Sequence, residues 1–518
     1  MSLTSDSQFG PLRSLFWPVY GHELKKLLPM AIMLFLICFN YSALRSMKDA
    51  LVITTAGAEI IPFIKVWAIL PMAVVVTLIF TKLSNCYSQE KVFYIMTTGF
   101  LVCYAFFAFI LYPLRDTLHP HEFANTLEKV LPSGFKGLIS MLRYWTFTAF
   151  YVMSELWSTS IMTVLFWGFA NEITRLTEAR RFYSVLSIVS NFASIAAGFF
   201  SISVSYSNIY NPRIPFGSDA WEQTMMLIVI MVIISGIGTM ITFRWMNKNV
   251  LNDPSYDDLH KIKKEIKSKG KLSFKESLSY VTNSRYLLCI AVIVIAYNLV
   301  INLVEVVWKD QMRSMFPSPS DYNSYVNNLL VIQGIASTFL ALSMAKLIKR
   351  FGWSTTAMIT PVVMMVTCLG FFGFIFFKEN LGDYATMWLG LSPLAIAVFF
   401  GSAQNALSKA TKYSVFDATK EMTYIPLSHE CKLKGKAAID GVGSRFGKSG
   451  GSLIHQGLLM IFASVTGSAP YVAAILVAVI IFWMFAVRSL GKQFNTLLEE
   501  KEASATEQQK EKRSLSPA

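Results

Sequence analysis

The chain has 518 residues, of which 54% are hydrophobic and only 15% charged, and its mean hydropathy is +0.47. That balance excludes an ordinary soluble protein of this length, which carries more charge and fewer apolar runs. The net charge of +14 sits in loops without interleaved aromatics, which argues against nucleic acid as a partner.

Residues 1–27 are polar and mixed. No cleavable signal peptide is evident, because the first apolar run is too long for an h-region, and no Arg- and Ser-rich transit peptide precedes it. Twelve segments are each about long enough to span a bilayer, at roughly 20 residues per helix. They fall near 28–54, 62–81, 92–112, 143–170, 183–205, 223–246, 284–308, 326–348, 355–377, 385–412, 437–463 and 470–488. The polar, Gly-rich 437–463 is the weakest of them, so eleven spans is the alternative. The loops on one side hold Lys82, Lys91, Arg175, Arg180, Arg181, Lys346, Lys349, Arg350, Lys432, Lys434 and Lys436, together with the basic stretch from Arg244 to Arg285. The opposite loops are nearly balanced. The positive-inside rule then puts both termini in the cytoplasm, which requires an even number of spans.

The loop 247–283 divides the spans into two groups of six, the layout of major-facilitator transporters. The expected fold is an all-α polytopic membrane protein of about twelve helices in two six-helix bundles working by alternating access. Its parts are a cytoplasmic N-terminal segment (1–27), a first bundle (28–246), a basic linker (247–283), a second bundle (284–488) and a polar tail (489–518) that is disordered or a frayed helix. Weak internal similarity supports the duplication. Aligning Asn40 on Asn298 brings Lys48 beside Glu305, and aligning Glu155 on Gln404 brings FWGFANE (166–172) onto VFDATKE (415–421).

Lys48, Glu155, Glu305 and Lys448 stand inside or at the edge of four different spans. An ionised side chain at a bilayer centre costs at least ~3 kcal/mol on insertion scales. Four of them on four spans imply a polar cavity, and lysines from both halves suit an anionic cargo. On the first span Asn40, Leu44 and Lys48 lie one turn apart, with Tyr41 and Arg45 beside them. Snorkelling of Arg45 and Lys48 to the headgroups is the plainer reading. On the seventh, Asn298, Asn302, Glu305 and Lys309 form one polar face, and Glu305 and Lys309 could simply pair at i, i+4. Glu155 has no local basic partner on the fourth span, and a carboxylate so placed protonates or finds a partner on another helix. Lys48 and Lys448 are the candidates. The fifth span carries Asn191 among serines and the tenth carries Gln404, polar residues that serve cavity lining or close packing equally.

GKS at 447–449 imitates a phosphate loop, but the glycine spacing is wrong and no strand precedes it. A helix fits better, with Asp440, Ser444, Lys448 and Ser452 on one face and Arg445 adjacent. Lysine as a flexible point charge and arginine as a fork suit a polyphosphate. The alternative is a Gly-rich helix packed closely on its neighbours. The six cysteines, Cys38, Cys86, Cys103, Cys289, Cys368 and Cys431, show no CxxC pair, and the six histidines make no metal pattern, so neither a disulfide framework nor a metal site is expected. With no nucleophile elbow or dinucleotide fingerprint either, neither an enzyme nor a cofactor is expected.

The motifs FNYSALRSMKDALVI (39–53), AEIIPFIKVW (58–67), ELWSTSIMTVLFWGFANEIT (155–174), INLVEVVWK (301–309), TKYSVFDATKEMTYIPL (411–427) and KGKAAIDGVGSRFGKSGG (434–451) spread over nearly the whole chain. They resemble the non-mitochondrial ATP/ADP translocases of plastids and obligate intracellular bacteria, most nearly the chlamydia type. The resemblance implies nucleotide exchange across the bacterial inner membrane and transport roles for Lys48, Glu155, Glu305 and Lys448. For a nucleotide cargo, the chemistry of the residues leads us to expect phosphate contacts from Lys48, Lys448, Arg45 and Arg445, with Glu155 and Glu305 pairing the lysines when no substrate is bound. Tyr41, Tyr151 or Trp157 would stack on the base, and Asn298, Asn302, Asn191, Gln404, Asp440 and Ser444 would line the cavity. Where the family pattern reads Arg-Asp-Thr-Lys-Asp-Thr, this chain reads Arg45-Ser46-Met47-Lys48-Asp49-Ala50. Some members carry other nucleoside triphosphates and some couple to protons, so ATP/ADP exchange, a broader set including GTP, CTP or UTP, and proton-coupled import all stay open. A carrier of another organic anion on the same fold is the remaining alternative. The two-bundle fold can work as a monomer.

Overall fold

The computed structural model describes residues 19–174, 176–205, 210–251, 281–282, 284–377, 387, 390–427 and 435–514. Most of the expected linker 247–283, much of segment 1–27, Arg175 and Cys431 lie outside the described residues. A helix stands at each of the twelve expected segments. They are α1 (Leu24–Ala56), α2 (Ile60–Cys86), α3 (Gln89–Leu111), α4 (Trp145–Ile173), α5 (Leu176–Ser205), α6 (Ala220–Val250) and α7 (Arg285–Met315). The run Pro319–Phe376 breaks at Gly352, whose φ of 74° favours glycine, into α8 (319–351) and α9 (353–376). Then come α10 (Pro393–Thr411), which continues to Thr423, α11 (437–462) and α12 (Val465–Ser514). Among the described residues nine of these helices are long and apolar enough to cross a membrane. The other three are α8, α10 and α11, whose sequences carry the asparagines, glutamines and lysines that lower hydropathy. The tail beyond residue 489 continues α12 as helix to Ser514.

The described residues fall into two compact units. The first is drawn from Met1–Gly270, Lys309–Thr338 and Leu459–Val465, the second from Lys271–Trp308, Phe339–Leu458 and Thr466–Ala518. In the first, α1 is the central helix, packed on α4, α5 and α6. Buried polar side chains tie these helices together where no water can. Asn40 donates to Val232 O (2.9 Å), Trp157 to Ile37 O (3.1 Å) and Tyr104 to Met153 O (3.0 Å). At one end Lys26 pairs with Glu178 at 2.7 Å and Arg181 with Glu23, which joins the starts of α1 and α5.

In the second unit, α11 lies against α7 along a stripe of small residues. A Cβ added at Gly447 would meet Asn298 Cβ at 2.7 Å and Ile295 O at 2.8 Å, and one at Gly451 would meet Asn302 Cβ at 2.9 Å. His455, one turn further, lies 2.9 Å from Leu303 O. This is small-xxx-small packing, which lets two backbones approach closely in lipid. The GKS sequence is thus mid-helix. Both α4 and α10 carry a π-helical stretch, Ser158–Phe166 and Lys412–Phe416, followed by a short α-helical end, Trp167–Ile173 and Asp417–Thr423. In the internal alignment the two π-helical stretches end, and the short α-helical ends begin, one residue apart.

Between α3 and α4 the chain forms short helices, among them His121–Val130 and Lys136–Arg143. His119 is buried here, 2.7 Å from Thr146 Oγ1, with the Phe147 and Tyr144 rings edge-on at 4.8 and 5.4 Å. Burial, aided by the neighbouring His121, pushes its imidazole down to about 4.

Two predictions follow from this packing. Gly447→Ala should destabilise the purified protein by about 1–3 kcal/mol, as overpacking does, whereas Gly457→Ala, which meets nothing within 4 Å, should not; thermal unfolding midpoints compare them. For His119 the folded value lies below the ordinary 6.5, so the unfolded chain takes up the proton first on acidification. Its contribution to stability should be full above pH ~6.5, fall as pH drops towards ~4, and change no further below that. A pH series of midpoints should show that dependence reduced in His119→Gln.

A buried lysine held by two carboxylates: the candidate functional site

In the first unit, α1 buries Lys48 with 1% of its surface exposed. A bare ammonium there would lose its hydration for nothing in return, and the effective penalty is several kcal/mol. Three groups replace the water. Asp49 Oδ1, on the next residue, lies 2.9 Å from Lys48 Nζ, and Glu155 Oε1 on α4 lies at 2.9 Å. The ring of Tyr151, one turn before Glu155, lies under the ammonium with its centroid 3.6 Å away, a contact worth ~2 kcal/mol or more when desolvated. The Trp157 bond to Ile37, about three turns before Lys48, fixes α4 against α1, and the π-helical stretch begins at Ser158, directly beyond Trp157. Such irregular turns recur at functional sites.

The chain of charges continues. Lys309 Nζ lies 2.9 Å from the second oxygen of Asp49, and both residues are buried, at 3% and 5% exposed. The order is Glu155, Lys48, Asp49, Lys309, alternating in sign and summing to zero. Arg45, half-buried one turn before Asp49, is near enough for its charge to act on Glu155. Both ammoniums are thus occupied by the protein's own carboxylates.

The sequence pointed to Lys48 and Glu155 and offered Lys48 as Glu155's partner. It did not point to Asp49 or Lys309. The signals were there: a carboxylate adjoining Lys48, and a lysine in the apolar run of α7. Lys309 stands on the polar face of α7, where pairing with Glu305 at i, i+4 is one reading.

Other candidates are placed differently. Trp157 is fully buried, its indole committed to Ile37 O and its ring packed edge-on to Phe100 at 5.9 Å, so it offers no face to a base. Tyr151 has its ring under Lys48. Asn298 and Asn302 donate back to Val294 O and Asn298 O, each at 2.8 Å, and face the glycines of α11. They are packing residues rather than cavity lining. Asp440 pairs with Lys420 at 2.8 Å. Tyr41, Asn191, Glu305 and Ser444 are half-buried, whereas Lys448 and Arg445 are exposed on α11. Because Gly447 and Gly451 turn towards α7, Lys448 is displaced around the helix from that contact. Gln404 is 2% exposed, and neither atom of its amide has a hydrogen-bond partner.

The sequence model of the TLC ATP/ADP transporter family matches residues 2–494. The chain belongs to this family. It is a membrane nucleotide transporter. It is 44% identical over 510 residues to "ADP,ATP carrier protein 1" of Chlamydia pneumoniae, covering 97% of this chain and 98% of that one. With "ADP,ATP carrier protein 1" of Rickettsia prowazekii (strain Madrid E) it shares 40% over 505 residues, covering 96% and 99%. Among solved structures it is similar to an inward-facing bacterial homologue of the iron transporter ferroportin (TM-score 0.54, 13% identity, 90% and 100% covered). It is also similar to the xylose transporter XylE from E. coli (TM-score 0.52, 10% identity, 90% and 99% covered). At such identities these likenesses show the fold alone, that of a major-facilitator-like transporter.

Within this family member, Lys48→Met should destabilise the first unit by about 3 kcal/mol, the lower end for breaking a buried pair, because Asp49 retains Lys309. Adding Glu155→Gln should recover part of the loss. A double-mutant cycle on thermal midpoints measures that coupling.

Proposed function

We propose that the chain exchanges ATP for ADP across a bacterial cytoplasmic membrane by alternating access of two six-helix halves, residues 28–246 and 284–488, with both termini in the cytoplasm. The names of its curated relatives support the nucleotide pair. The observation that carries the reading is the buried Lys48 ammonium, matched by Glu155 and Asp49 at 2.9 Å each.

Nucleotide phosphates compete with carboxylates for a lysine. On binding they displace Glu155 from Lys48, and Arg45 on α1 adds charge. Lys448 and Arg445, exposed on α11, are the phosphate ligands we assign in the second unit, where Glu305 plays the part of Glu155. In the empty carrier the lysine returns to its carboxylates, which keeps the interior neutral but holds the helices in place. Crossing without cargo is then slow, and exchange results. Charge pairing does not read the base, so GTP, CTP and UTP are candidate cargoes beside ATP and ADP. The carrier acts in the bilayer as a monomer and performs no chemical step on its cargo. The second reading, a proton-coupled importer, would use Glu155 as an unpaired proton carrier; its salt bridge to Lys48 favours exchange over that reading.

Uptake of labelled ATP, GTP, CTP and UTP into proteoliposomes loaded with or without ADP tests the proposal. ATP should enter at least tenfold faster (roughly 1.4 kcal/mol) against internal ADP, and Lys48→Ala or Lys448→Ala should abolish uptake while the protein still inserts. Uptake that follows a proton gradient and ignores internal nucleotide would contradict exchange. Wild-type rates in either variant would remove that lysine from the site.

A further inference from the structure

One carboxylate bridges two buried lysines: Asp49 presents Oδ1 to Lys48 Nζ and Oδ2 to Lys309 Nζ, each at 2.9 Å. All three residues are at least nine-tenths buried. A phosphoryl group has three acceptor oxygens and more charge than a carboxylate, so whatever spacing of ammoniums one carboxylate can span, a phosphoryl group can span too. From this geometry we infer that Lys309 is a further phosphate-binding residue and that the Asp49 carboxylate is a built-in stand-in for a phosphoryl group of the nucleotide. The inference rests on the nucleotide-exchange reading and extends it to two residues outside the set Lys48, Glu155, Glu305 and Lys448.

The sharing of Asp49 supports this over a purely structural pair. A site built only to fasten α1 to α7 could do so with Asp49 and Lys309 alone, and Lys48 with Glu155 would be a separate pair. Instead Asp49 is shared, so displacing it releases two ammoniums at once. A single phosphate bound to Lys48 alone would leave Asp49 facing it across a short gap, which like charges resist. Moving Asp49 aside removes that repulsion and frees Lys309. The number of phosphates should therefore matter, since a longer polyphosphate can reach both lysines while a monophosphate is satisfied by one.

The test is nucleotide binding by the purified full-length protein, with ATP, ADP and AMP titrated against wild type, Lys309→Gln, Asp49→Asn and the double variant. Lys309→Gln should weaken ATP by at least tenfold, as loss of a hydrogen bond to a charged group does, ADP by less, and AMP least. Asp49→Asn should bind ATP more tightly than wild type, because the internal competitor is neutral. The double variant, in which both members of the pair are neutral together, guards against misfolding of either single one, and it should bind ATP at least tenfold less tightly than Asp49→Asn does. Equal ATP affinity in the double variant and Asp49→Asn, or an equal loss for ATP, ADP and AMP in Lys309→Gln, would overturn the assignment and leave a structural pair. If wild type itself bound none of the three nucleotides, the exchange reading would fall first, and this inference with it.

Discussion

The constraint on which the site depends is that an ammonium cannot be left bare in an apolar interior. Lys48 is nearly devoid of solvent exposure, so its neighbourhood must supply what water would have supplied. Asp49 follows it in sequence, Glu155 reaches it from α4, and the Tyr151 ring underlies it. Trp157 and Asn40, both buried, hold α4 and α6 against α1 by donating to backbone carbonyls. Lys309 then balances the second carboxylate. Each of these groups is expensive alone and satisfied together. Under the proposed exchange such an arrangement has two low-energy conditions, carboxylates on lysines or phosphates on lysines.

Much of the fold was legible in the sequence because hydropathy reports helices of membrane length directly. All twelve helices stand where apolar runs placed them. The polar segments α8, α10 and α11 fall short of a spanning composition because their side chains serve packing and pairing. Asn298 and Asn302 illustrate what periodicity leaves out. Their spacing marks a polar face, but whether that face meets water or the glycines of another helix depends on the partner. The glycine stripe of α11 was visible as composition, yet its register against Asn298 and Asn302 was not.

The site was legible in part for a related reason. Charges in apolar runs are rare enough to stand out, which brought out Lys48 and Glu155. Partners on other helices are not legible from local spacing: Lys309 lies at i+4 from Glu305, and the fold sets it against Asp49 on α1. Aromatic residues were the least legible. Trp157 and Tyr151 could have faced a cavity from their positions on α4, but the first is core and the second is bound under Lys48. A lone sequence does not separate a ring that stacks on cargo from one that supports the residue holding it.

The most direct measurement is a structure of the protein with ATP bound, by electron cryomicroscopy in lipid nanodiscs. Lys48 Nζ should lie within hydrogen-bond distance of a phosphate oxygen, with the Glu155 carboxylate moved away from its 2.9 Å contact. A bound nucleotide with the Lys48–Glu155 pair intact would contradict the account, because the lysine would then be structural and the phosphates would be held elsewhere.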